Sequence, residues 1–312
     1  YIDNDGQLKK YHFKRAVMHS HKRLTYNQVQ AALDGNYKDI DQEFTEKVLY
    51  PLEDAYVVLQ NQRDRRGALD LDTTETYILF DEDTKAVADI VPRKRFTAHM
   101  LIEELMVLAN VAAAKALEQY SCMYRIHEEP SQEKVDNLQI SLKGMNVRYF
   151  FDKEKSLRPY DFKKIIERLR DLPNPENLMN VILRSQSQAR YGSQNLGHFG
   201  LALSHYAHFT SPIRRYSDLI VHRLLVKNLG LAGQGGIGYS TKKVDEIAEH
   251  ISVTERISQK CEWDAKERFV ASYYSEKVNE EFDATVVSIN KFGMFVKLEK
   301  TGAEGLLPYR SM

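Results

Sequence analysis

The sequence predicts an α+β protein, and three observations carry that expectation. Long segments with helical spacing dominate, among them a nearly all-apolar stretch from Phe96 to Glu118 and a charged one over residues 241–277. Short strand-like runs, such as Cys122 to His127, lie between helices. From Phe282 the pattern switches to alternation with a period of two.

In chain order, Asn4-Asp5-Gly6 marks a turn, and the run Lys10 to His19 reads as the strand of a hairpin. Thr25-Tyr-Asn-Gln28 is a capping box for a short helix that Gly35 closes. Residues 40–66 are helical, with Pro51 expected to kink them. Residues 67–80 alternate like a strand pair, followed by a turn and Ala86 to Val91. Asp70-Leu-Asp-Thr mimics a phosphatase nucleophile loop, but a strand rather than a helix is expected after it, and the glycine of a calcium loop is missing.

The helix from Phe96 to Glu118 carries Glu103 and Glu104 in an otherwise apolar setting. A buried carboxylate is costly unless it is paired or binds a cation, so these two acids stand out from those on exposed helices. Helices are expected at about 131–144, 159–171 and 175–190. The polar loop Tyr191 to Asn195 follows, and residues 230–238 form a glycine-rich surface connection without phosphate-loop spacing. The helix at 241–277 has Ile247, Ile251, Ile257, Cys261 and Trp263 as its apolar positions. Phe282 to Leu298, turning at Asn-Lys-Phe-Gly, opens a small β-barrel.

Hydrophobic residues make up 43% and charged residues 28%, enough to bury a core. Lys+Arg and Asp+Glu both number 44, so only local clusters could attract a polyanion. Cys122 and Cys261 are far apart with no metal-ligand spacing and read as reduced thiols, which points to the cytoplasm. No run of 18 apolar residues suggests a membrane role, and both ends of the chain look cut.

The most informative stretch is Gly197-His-Phe-Gly-Leu-Ala-Leu-Ser-His-Tyr-Ala-His-Phe-Thr-Ser-Pro-Ile-Arg-Arg-Tyr-Ser-Asp218, continuing to His222-Arg223. Thr210 or Ser211 can cap a helix there, with Pro212 at its first position. Such a helix start favours an anion, and Arg214 and Arg215 would add forked hydrogen bonds to it. The alternative is an ordinary ion pair of either arginine with Asp218.

This string closely resembles the signature of the RNase II/RNase R family of exoribonucleases, nearer its RNase R branch. Ala16-Val-Met-His-Ser, Arg23-Leu-Thr-Tyr26, Ile102 to Asn110, Tyr124-Arg-Ile-His127 and Leu183-Arg-Ser185 extend the match in the same order. The resemblance implies an RNB-type catalytic core, a mixed or antiparallel sheet wrapped by helices, over residues 1–278. Residues 279–312 would be the first strands of an OB-type RNA-binding barrel.

The activity implied is processive 3′→5′ hydrolysis of single-stranded RNA to nucleoside 5′-monophosphates with Mg²⁺. Arg214 matches the catalytic arginine, Glu103 the glutamate that grips the terminal nucleotide, and Glu267 a second active-site glutamate. His208, Ser211, Arg215 and Tyr216 fall among the RNA contacts, with Lys291, Phe292 and Phe295 on the barrel. Leu71 stands where the family has an aromatic clamp, which weakens base stacking there.

The family's metal-binding aspartates belong to a segment upstream of Tyr1, and no such Asp-rich string occurs in these 312 residues. The expected metal ligands in this chain are therefore none, and the chain alone should bind RNA but cleave poorly. A catalytically inactive RNA-binding module and a general nucleic-acid-binding barrel protein are the other readings. The resemblance further implies a monomer acting on RNA with a free 3′ end, with ribosome or RNA-decay partners.

Overall fold

The computed structural model describes residues 1–69, 76–147, 149, 151, 156–170 and 175–311. Packing divides the chain into two compact units. One comprises Tyr1–Asp70, Arg95–Arg168 and Ile182–Val253, the other Leu71–Lys94, Leu169–Val181 and Thr254–Met312. Asp70-Leu-Asp-Thr and Leu71 lie outside the described residues.

In the first unit, the Asn4–Gly6 turn forms as expected: Gly6 has φ +76° and Ile2 bridges Leu8. The run Lys10 to His19 makes no strand pairing among the described residues, and Val17 and Met18 project into solvent instead of packing on a core. Helix α1 (Tyr26–Leu33) has the expected capping box: Thr25 Oγ1 accepts from the Gln28 N–H at 3.3 Å and Gln28 Oε1 accepts from the Thr25 N–H at 2.9 Å. The segment before Pro51 is irregular. A short turn α2 (Gln42–Phe44) runs into a π-helical turn (Thr45–Leu49) before α3 (Tyr50–Arg66). Proline lacks an N–H and its ring crowds the carbonyl four residues back, so the expected kink is a widened turn ahead of Pro51. Gly67 ends α3 in the left-handed region at φ +78°, where a Cβ would meet Tyr160 at 3.0 Å.

The spine of this unit is α4 (Thr97–Ala116). It is long and apolar enough to cross a membrane by length and composition, yet it packs as a core helix and keeps Glu104 and Asn110 buried among polar partners. Ala113, Ala114 and Leu117 at its end share one buried cluster with three further elements. These are β3 (Tyr124–Ile126), α8 (Tyr216–Asn228) through Ile220, Val221, Leu224 and Leu225, and the start of α9 (Thr241–Ser275) through Val244 and Ala248. Strand β3 pairs antiparallel with β4 (Arg190–Gly192), and on its other side Tyr124 bridges Ala207. Helices α5 (Gln132–Gly144), α6 (Pro159–Arg170) and α7 (Pro175–Ser185) lie between β3 and β4 in the chain. Phe162 on α6 is fully buried, with Phe151 and Phe199 rings 5.1 and 5.6 Å away.

In the second unit, β1 (Thr76–Phe80) and β2 (Val87–Pro92) form an antiparallel hairpin, so the strand pair begins later than residue 67. Its Phe80 meets Phe269 edge-on at 5.0 Å and its Asp89 accepts from the Tyr273 hydroxyl at 3.0 Å, both on the carboxy-terminal half of α9. Ile257, Cys261 and Trp263 on that half are exposed rather than buried. Strands β5 (Ala284–Asn290), β6 (Gly293–Leu298) and β7 (Glu304–Pro308) make a three-stranded antiparallel meander, the form expected of the opening of an OB-type barrel. Gly293 is required where β6 meets β7, because a Cβ there would run into the Leu307 carbonyl oxygen. Tyr274 ties α9 to this sheet by a hydroxyl bond to Thr301 at 2.5 Å and an edge-on contact with Phe282.

Candidate active site

The site is a loop-to-helix corner built on the edge of β3. The chain from Tyr206 to Phe209 runs beside that strand, with the Arg125 N–H donating to the Tyr206 carbonyl at 2.9 Å. The buried Asn110 on α4 then holds the loop twice: its Nδ2 donates to the Tyr206 hydroxyl at 3.2 Å and its Oδ1 accepts from the Phe209 N–H at 2.8 Å. The Phe209 ring stacks on His222 at 4.3 Å and 14°, while His222 Nε2–H donates to the Phe209 carbonyl at 2.9 Å. Phe13 meets the same phenylalanine edge-on at 5.4 Å.

The helix begins later than its sequence suggests. Residues 211–214 form a turn in which the Ser211 carbonyl accepts from the N–H groups of Arg214 at 3.2 Å and Arg215 at 3.0 Å. Arg215 is the cap position of α8, so neither Thr210 nor Ser211 caps the helix and Pro212 is not its first residue. The reason is Asp218. Its carboxylate, with no exposed surface, takes the Ser211 N–H at 2.7 Å, Arg215 Nε at 2.9 Å and Nη2 at 2.8 Å, and the Ser217 hydroxyl at 3.0 Å. A carboxylate three positions into a helix also meets the positive end of its dipole.

The two arginines are therefore unlike. Arg215 gives one edge of its fork to Asp218, the ion pair named as the alternative reading. Arg214 projects from the turn, exposed, and its guanidinium has no partner among the described residues. Ile213 beside it is fully exposed and Tyr216 is half-exposed. Ser211 is partly exposed. His208 points inward, with its Nδ1 hydrogen-bonded to the Tyr191 hydroxyl at 2.8 Å. Burial, reinforced by Arg215 and Arg125, pushes its pKa down to about 2, so it sits neutral beneath the loop.

The adjacent acids on α4 also differ. Glu104 is buried with Arg63 at 3.0 Å and Arg66 at 3.9 Å; burial raises its pKa and the two arginines oppose the rise. Glu103 is half-exposed, with Arg95 at 3.0 Å and Arg63 at 3.9 Å. Glu103 and Asn110 are seven residues apart, two helical turns, so α4 presents Glu103 on the face that grips the corner. Glu267 lies exposed on α9 in the second unit. In the meander, Phe292 is exposed at the β5–β6 turn with the Lys291 ammonium 5.0 Å from its ring centroid, while Phe295 is partly buried on β6.

Asn110, Tyr191 and Tyr206 are supporting residues to which motif reading gave no role, whereas Asp218 was read only as a surface ion-pair partner and is buried. Asn110 had one signal, as a lone amide on an apolar helix. Among the described residues no three His, Cys, Asp or Glu side chains cluster to hold a metal ion. The described residues thus do not make a magnesium site of their own.

A family profile described as the RNB domain matches residues 1–230, and one described as the S1 RNA binding domain matches residues 275–312. The chain is 39% identical to Ribonuclease R of Aquifex aeolicus over 318 residues, covering 100% of this chain and 44% of that protein. The apo form of Mycoplasma genitalium RNase R superimposes with a TM-score of 0.91 at 28% identity, covering 99% of this chain and 48% of that one. The same enzyme in complex with ribose methylated single-stranded RNA superimposes with a TM-score of 0.90 at 27% identity, covering 100% and 49%. The chain thus spans less than half the length of these proteins.

Proposed function

The chain belongs to the RNB-domain family, and from that premise we propose that it is part of a 3′→5′ exoribonuclease that hydrolyses single-stranded RNA processively to nucleoside 5′-monophosphates. The observation that carries the proposal is Arg214, an exposed guanidinium with no hydrogen-bond or ion-pair partner among the described residues, on a turn anchored by a buried carboxylate. A fixed cation of this kind stabilises the negative charge that builds on a phosphodiester as its bond to the leaving oxygen breaks. Glu103 would accept hydrogen bonds from the terminal ribose hydroxyls, and Phe292 with Lys291 would stack on a base and meet a phosphate further along the strand.

Arginine cannot generate the attacking hydroxide. In this proposal that task, with Mg²⁺, Glu267 and a monomeric cytoplasmic enzyme, belongs to the whole protein. Within it, residues 1–278 would be the catalytic portion and residues 279–312 the start of the RNA-binding barrel.

The test is incubation of the full-length protein containing this chain with 5′-labelled single-stranded RNA and Mg²⁺. Wild type should shorten the RNA from its 3′ end, and a blocked or base-paired 3′ end should change the product pattern. Arg214→Ala should lose about 10²–10³ in rate while keeping much of its RNA affinity. Undiminished turnover in that variant removes Arg214 from the mechanism. A wild type that binds RNA without shortening it is instead an RNA-binding module.

A further inference from the structure

We propose that Asp218 is a positioning residue for Arg214: its buried carboxylate fixes both ends of the Ser211–Arg215 turn and so sets where the intervening guanidinium stands. The inference rests on the reading of Arg214 given above and names the group that makes that reading geometrically possible.

Asp218 is completely buried, yet among the described residues the bonds to its carboxylate come from within seven residues. One oxygen accepts from Ser211 N–H at the beginning of the turn and from Arg215 Nη2 at its end; the other accepts from Arg215 Nε and the Ser217 hydroxyl. Pro212, Ile213 and Arg214 stand between these anchors, all exposed. Pro212 fixes one further torsion. The Arg214 backbone is held on one side by its own N–H bond to Ser211 and on the other by the clamped Arg215.

Burying a carboxylate is costly, and a well-packed apolar side chain often stabilises such a place as well or better. An apolar residue at 218 could continue helix α8, but it could not accept the Ser211 amide and the Arg215 fork together. The bonding pattern therefore serves the shape of the turn more than the stability of the helix. Transition-state stabilisation by a fixed charge depends on that shape, because a shift of about 1 Å in a catalytic group can cost about 100-fold in rate.

Asp218→Asn is the informative substitution. It preserves volume but replaces one acceptor oxygen with an N–H₂ that opposes either the Ser211 amide or the Arg215 fork. The experiment is a double-mutant cycle with Arg214→Ala in the full-length protein, reading single-turnover cleavage, RNA affinity and thermal melting. With Arg214 present, Asp218→Asn should slow cleavage by about 100-fold. RNA affinity should stay within about threefold, and in the Arg214→Ala background the same substitution should cost no more than about threefold.

Equal losses in both backgrounds, or no loss in either, overturn the proposal. If Asp218→Asn does not fold, Ser217→Ala, which removes a single bond to the carboxylate, decides by the same cycle: a loss confined to the Arg214 background supports it and an additive loss overturns it. A wild type that does not cleave RNA overturns the exonuclease reading and this inference together, whereas a cleaving wild type with additive effects overturns this inference alone.

Discussion

Asn110 and Phe209, 99 residues apart in the chain, are joined by a 2.8 Å hydrogen bond from the Phe209 N–H to the Asn110 side-chain oxygen. The other end of the same amide donates to Tyr206. Helix α4 thereby grips the segment that leads into the Arg214 turn. Because both groups on Asn110 are buried, its removal strands a backbone donor and a phenolic oxygen.

Asn110→Ala is therefore expected to destabilise the protein by about 1–3 kcal/mol for each group left unpaired. Urea denaturation checks this. An unchanged midpoint would show that water or a neighbouring side chain replaces the amide.

Stability should also fall on mild acidification. Burial pushes His208 down to about 2 and His198 down to about 3, from an ordinary value of 6.5. Above pH 6.5 both states are neutral and no difference arises. As pH falls from 6.5 towards those folded values, the unfolded chain takes up protons that the folded one refuses. Each histidine then removes about 1.4 kcal/mol of stability per pH unit. Denaturation midpoints at pH 7.5 and 5.5 measure the effect, and His208→Asn, which keeps a hydrogen-bonding group facing Tyr191, should flatten the dependence by one proton's share. An identical slope in that variant would remove His208 from the acid response.

In the barrel segment, Phe292→Ala should weaken single-stranded RNA binding by about 1–3 kcal/mol, the range for one stacked base, with little change in melting temperature because the ring is exposed. Fluorescence anisotropy of the full-length protein with a labelled oligonucleotide, with chelator present to prevent cleavage, reads the change. Affinity equal to wild type would show that no base rests on this ring.

Signals contained within a few residues were legible in the sequence. The Thr25–Gln28 capping box, the end of α1 at Gly35, the apolar run of α4 and the Asn290 to Gly293 turn all formed where local chemistry places them. The motif string likewise marked the family. Local rules failed where a distant or buried group competed for the same backbone. Lys10 to His19 has strand propensity but makes no pairing among the described residues, and Ser211-Pro212 has the residues of a helix start but not its geometry.

The sequence by itself determined which residues carry charge to the corner, the order of the helices and the identity of the signature string, because these depend on residue type and short-range spacing. Only the tertiary structure decided that Arg215 is spent on Asp218 while Arg214 is turned outward, and that Glu104 is buried while Glu103 stays half-exposed. Neighbouring residues of identical type differ in nothing a sequence can record. The buried Asp218 carboxylate takes Arg215 and leaves Arg214 facing solvent, and the packing of α4 encloses Glu104 with Arg63 and Arg66 while Glu103 meets Arg95 and Arg63 nearer the surface.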